Sequence, residues 1–191
     1  EGYARKEIDF CLHVKERGKI EDIKTLMRGI FGIEPHAERI RGNAINVIYQ
    51  SKPLATFFIE HCGKGARGKH VPQFLFEAPQ AYFTEFFRGH FNGDGYQDKR
   101  GKIELTSMSR RLLLELHWLS RMHGFHGYLH SFTTKEGRRI NGGKPLAASV
   151  AWRLGFGKTQ NPLGRAPGKP NIMRAHVKSI RRVPYDGYVY D

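Results

Sequence analysis

Apolar residues along the chain switch between two periods. Ile8, Phe10, Leu12 and Val14 alternate with Glu7, Asp9, Cys11 and His13, the period-two pattern of a strand with one buried and one open face. After Gly18, Ile20, Ile23, Met27 and Ile30 recur at helical spacing, and Gly32 closes the run. Residues 36–50 predict a hairpin turning at Gly42-Asn43. Leu54, Phe57, Phe58 and Cys62 predict a second helix that ends at Gly63. The same order then returns. Residues 102–107 read as a strand, and Ser109 is placed to cap a helix carrying Leu112, Leu113, Leu116 and Leu119, with Gly124 after it. Residues 126–133 and 146–154 pair as a hairpin whose tip, 135–144, is rich in Gly, Lys and Arg. Two copies of one supersecondary unit predict an α+β fold with an internal two-fold repeat.

Between the copies lies a second helical pattern. Tyr82, Phe83, Phe86, Phe87 and Phe91 follow Pro79 at spacings of three and four, and Gly93-Asp94-Gly95 stops the run with a carboxylate at its C-terminal end. Gly89 in its middle costs about 1 kcal/mol against alanine, which predicts close approach by a partner helix. Asn-Gly-Asp-Gly is also ordinary turn vocabulary, so the glycines alone do not separate a packed seam from a simple helix stop.

Charge narrows the partner. The 191 residues carry Lys+Arg 32 against Asp+Glu 18, a net charge of +14, which points to a polyanion. The open strand faces carry Arg39, Arg41, Asn46, Gln50, Lys102, Glu104 and Thr106, and the second hairpin tip adds Lys135, Arg138 and Arg139. These side-chain types suit base edges and phosphates of duplex DNA on a curved antiparallel sheet. Two cysteines are too few for a disulfide scaffold or a thiolate zinc site, and the histidines lack acidic or thiol neighbours at ligand spacing. No apolar run reaches the length of a membrane span, and a cytoplasmic, nucleoid-associated setting is expected.

The stretch Phe87 to Gly95, FRGHFNGDG, resembles the LAGLIDADG motif of homing endonucleases, with Gly89 at the first glycine and Asp94 at the terminal acid. Asn92 replaces the motif's first Asp, and Arg88 and His90 replace smaller or apolar residues. The resemblance implies a pseudo-two-fold αββαββ fold, with halves at 1–76 and 77–160, in which two motif helices pack side by side. Each helix then ends in an acid that holds a divalent metal at a DNA phosphate. Glu1-Gly2 resembles the tail of the first motif, which implies that Glu1 is the second catalytic and metal-binding acid and that its helix precedes residue 1. Lys69, in GKHVP, stands where intein-borne members carry a lysine near the cleavage centre. Residues 161–191 are basic and end in VKSIRRVPYDGYVYD, which resembles the return toward an intein splicing domain. The chain lacks the splicing blocks themselves, so protein splicing is not expected of it.

The expectation is therefore a monomeric, site-specific double-strand DNA endonuclease, joined in cis to an intein splicing domain. Its catalytic residues would be Asp94, Glu1 and Lys69, and its cofactor Mg²⁺ or another divalent cation such as Mn²⁺, because hard oxygen ligands with few protein donors suit these ions. The alternative is a catalytically decayed, maturase-like module of the same fold that only binds DNA or RNA.

Overall fold

A computed structural model describes residues 7–137, 145 and 147–164. The first half runs β1 (Glu7–His13), α1 (Arg17–Phe31), β2 (Ala37–Arg41), β3 (Ala44–Gln50) and α2 (Lys52–Cys62). Its strands form an antiparallel sheet in the order β1-β3-β2. The alternation in β1 and β3 drives this arrangement. Ile8, Phe10 and Leu12 turn to the same side as Ile45, Val47 and Tyr49, where Ile20 and Met27 of α1 cover them. Gly42 makes the hairpin turn at φ 59, and Gly32 ends α1 at φ 65. Both lie in the left-handed region that glycine tolerates without strain. Ser51 caps α2 by accepting from the Leu54 N–H at 3.4 Å.

The second half begins with α4 (Gln80–Asp94) and continues β4 (Gly95–Gln97), β5 (Ile103–Ser107), α5 (Arg110–Met122), β6 (Gly127–Thr133) and β7 (Val150–Phe156). Its antiparallel sheet has the order β4-β5-β7-β6. The repeat seen in the sequence is thus a repeat of topology, because β1-α1-β2-β3 and β5-α5-β6-β7 share one order of elements and one order of strands. Phe83 and Phe87 of α4 meet Leu113, Leu116 and Leu119 of α5 over Ile103, Leu105, Leu154 and Phe156 of the sheet. All nine are fully buried. The connector between the halves holds a four-residue helix α3 (Gly65–Gly68) and a 3-10 turn Gln73–Phe76, and it sends Val71 and Leu75 into this second core.

Three details differ from the sequence reading. Asp94 does not lead into a simple turn: the backbone becomes extended at Gly95 and starts β4, which pairs with β5. The return strand of the second hairpin starts at Val150 rather than 146, although Thr134 already bonds the Ser149 carbonyl at 2.8 Å. Tyr82 does not join the buried stripe of α4 and is 63% exposed. Among the described residues no helix is long and apolar enough to cross a membrane.

Candidate functional site

Helix α4 has one packed side and one bare side. Phe83 and Phe87 face the core, while Tyr82, Gly89 and Gly93 lie on the opposite stripe. A Cβ added at Gly89 or Gly93 would meet nothing within 4 Å. The close approach expected of Gly89 is therefore not made by any described residue, and the glycine stripe is open. Gly95 is different, because a Cβ there would lie 2.2 Å from the Phe91 ring. That contact explains why glycine follows the acid. Asp94 is the last residue of α4 and is exposed. The helix presents its unpaired carbonyls at this end, so a cation is favoured beside the carboxylate. Lys19 of α1 already reaches one of them, donating to the Asn92 carbonyl at 2.7 Å.

One turn before Asp94, His90 lies half-buried, with a buried Nε2 that lacks any hydrogen-bond partner. Burial holds its imidazole below the ordinary histidine range; the Asp94 charge opposes this and the Lys69 charge adds to it. The backbone around Lys69 is stitched in place from two sides. Ser109, fully buried, donates from Oγ to the Lys69 carbonyl at 2.6 Å and accepts from the Leu112 N–H at 3.2 Å as the cap of α5. Two residues on, the Val71 N–H donates to Glu115 at 2.8 Å, and the His70 N–H donates to the Cys62 carbonyl at 3.0 Å. The Lys69 side chain itself is exposed.

Register puts the four candidate DNA contacts of the first half on one face. Arg39 stands opposite Asn46, which stands opposite Cys11; Arg41 is opposite Ala44, and Gln50 is opposite Glu7. The Asn46 amide is not idle, since it donates to both Asp9 carboxylate oxygens at 2.8 and 2.9 Å. This open face is mixed in charge, with Glu7, Asp9 and His13 beside the arginines.

The second sheet is more strongly organised. Glu104 accepts from Lys102 at 2.8 Å and from the Tyr128 hydroxyl at 2.9 Å, with Arg153 3.5 Å away. The hydrogen bond from Lys102 is the main reason its carboxyl is held below the usual range. Glu104 therefore orders a cationic face as well as offering an acceptor to it. Lys102 lies over the Tyr128 ring at 5.1 Å, Arg153 over Phe132 at 4.9 Å, and Tyr128 stacks on His130 at 5.8 Å. Thr106 shares this face, opposite Arg153. Tyr128 and Arg153 were not singled out from sequence, and His130 was weighed there only among the histidines, although the alternation of Tyr128, His130 and Phe132 along 127–133 was visible. Lys135 lies exposed beyond β6. Glu1, Arg138 and Arg139 fall outside the described residues.

No group of three or more His, Cys, Asp or Glu side chains converges among the described residues. Two of the histidines are engaged within the fold: His117 Nε2 lies 3.1 Å from the Gly127 carbonyl, and His123 stacks on Phe83 at 4.9 Å. Asp94 is an exposed hard-oxygen donor that belongs to no such group among the described residues.

No protein-family model matches the chain. Over 99% of its length it is 28% identical to an uncharacterized protein of Methanocaldococcus jannaschii, covering 24% of that protein. It is 29% identical over 74% of its length to a DNA polymerase of Thermococcus litoralis, and 27% identical over 99% to a DNA polymerase of Thermococcus hydrothermalis. It spans only 10% and 12% of those two polymerases.

Proposed function

We propose that this chain is the DNA-cleaving part of an intein, a site-specific, metal-dependent endonuclease of the LAGLIDADG type. A match to about a tenth of two polymerases along most of the length of this chain supports the reading of an element inserted into host genes. The repeated strand order supports the family's two-fold architecture, and the repeat within one chain supports action as a monomer on double-stranded DNA. The observation that carries the reading is the end of α4, where an exposed Asp94 terminates a helix with an open glycine stripe. A bare stripe of this kind is the surface a second motif helix would need.

The donor set fits Mg²⁺ or Mn²⁺ of the kind that keeps most of its waters and takes one or two carboxylates. Asp94 would hold it, with Glu1 as the second acid. A divalent ion bound there supplies charge neutralisation at the scissile phosphate. The protein supplies the rest. Lys69, anchored through its carbonyl to the α5 cap, brings a mobile ammonium to the same phosphate. The open faces of both sheets grip the duplex, with Arg39, Arg41, Lys102, Thr106 and Arg153 as phosphate or base contacts. Glu104 keeps Lys102 and Tyr128 in place.

The test uses the complete domain with the uninterrupted host-gene junction as substrate. Asp94→Asn should leave binding within about twofold and lower nicking by at least about a hundredfold. Cleavage at the wild-type rate under saturating Mg²⁺ would remove Asp94 from the centre. Tight binding of DNA or RNA without any cleavage by the unaltered domain would instead assign the decayed, maturase-like role.

A further inference from the structure

A groove of about 520 Å³ opens at the start of α5, on the helix side of the second sheet. This size lies in the range of small-ligand sites, roughly 300–1,000 Å³. Trp152 of β7 forms part of it; Trp152, Leu154 and Phe156 point to the helix layer, while Arg153 points to the opposite, open face. The groove is thus distinct from the face assigned to duplex binding. Met108 and Leu114 add to its apolar lining, and Arg67, Arg110 and Arg111 bring three guanidinium groups to it. Arg111 bonds Glu115 at 2.6 Å. Arg67 and Arg110 have no ion-pair partner among the described residues. The Arg110 guanidinium instead lies over the Trp152 ring at 5.3 Å.

An aromatic floor, a stacked guanidinium and uncompensated positive charge describe a ligand that is planar at one end and anionic at the other. Arginine planes and indole rings both stack nucleobases, and stacking of this kind requires a base that is not paired. Guanidinium forks match phosphate oxygens. We propose that this groove binds one unpaired nucleotide unit, its base continuing the Trp152–Arg110 stack and its phosphate held by Arg67 and Arg111. The unit is either a free mononucleotide or an unpaired position in a strand. The inference does not depend on cleavage chemistry and stands apart from Asp94.

The chain has two tryptophans, and Trp118 lies outside the groove on the exposed side of α5. A Trp118→Phe background of the full 191-residue chain therefore makes fluorescence report on Trp152. Titration at low salt with adenosine monophosphate, an oligothymidylate and inorganic pyrophosphate separates the sources. Saturable quenching by either nucleotide probe is expected, and binding should weaken about tenfold in Arg110→Ala and in Arg67→Ala with the melting temperature unchanged. Quenching by the oligonucleotide alone identifies a strand, and quenching by the mononucleotide identifies a free ligand. Absence of quenching by both, affinities unmoved by both arginine substitutions, or pyrophosphate binding as tightly as the nucleotides would overturn the proposal.

Discussion

Ser109 offers the sharpest test of how the fold holds Lys69. Its hydroxyl is fully buried and serves two partners, accepting from the Leu112 N–H and donating to the Lys69 carbonyl. Ser109→Ala removes both. Loss of an N-cap costs about 1 kcal/mol, and a part-buried carbonyl left without its donor costs about 1–3 kcal/mol. The sum, about 2–4 kcal/mol, should lower the melting temperature by about 5–15 °C for a chain of this size. In urea the midpoint should fall with an unchanged slope. Ser109→Gly separates the two contributions, because glycine at an N-cap costs only about a few tenths of a kcal/mol but has no hydroxyl proton for Lys69; it should retain most of the capping share and lose the other. If the endonuclease reading is right, Ser109→Ala should also slow nicking well below its unfolding temperature, since the Lys69 backbone has lost one anchor. An unfolding free energy within about 0.5 kcal/mol of the unaltered chain would refute the dual role, because surface-like substitutions fall in that range.

Other outcomes follow from the bare helix and the partly buried histidines. Gly89→Ala should stabilise this chain by up to about 1 kcal/mol, because a Cβ meets nothing and helix propensity improves; urea denaturation checks the sign. Gly95→Ala should destabilise under the same measurement, since its Cβ strikes the Phe91 ring. His90, His117 and His123 are each held below the ordinary imidazole range, burial being the first cause. The unfolded chain then binds more protons than the folded one below about pH 6.5, so stability should fall as pH drops through that window and level off above it. Urea midpoints at several pH values check this, and His90→Gln should flatten part of the slope; a flat profile for the unaltered chain would contradict the lowered imidazoles of three partly buried rings.

Strands with one wet face were readable because their alternation is a direct record of burial. Ile8, Phe10 and Leu12 announced β1, and Leu112, Leu113, Leu116 and Leu119 announced α5, because the period of each run is set by the face it buries. Elements of three or four residues, such as β4 and α3, are too short to show a period. The network joining Lys102, Glu104, Tyr128 and Arg153 was hidden for another reason: it is made by cross-strand register between residues up to 49 apart in number, from 104 to 153, and no local pattern encodes it. His90 was noticed only as a departure from a motif. Its position one turn before Asp94 was visible, but its burial depends on packing from the rest of the second half. The matching strand order of the halves was implied by the repeat and could be described only once the pairings were in hand.

Cys11 gives the open face of the first sheet a chemical reporter. It is exposed, unpaired with Cys62 among the described residues, and stands in one cross-strand row with Asn46 and Arg39. A molecule lying across that row shields the thiol, so its alkylation rate becomes a footprint of occupancy that requires no mutation. Half-buried Cys62, whose thiol burial pushes up, reacts slowly and serves as the internal reference. Protection of the first thiol by duplex, without change at the second, would map contact to this sheet at single-residue resolution.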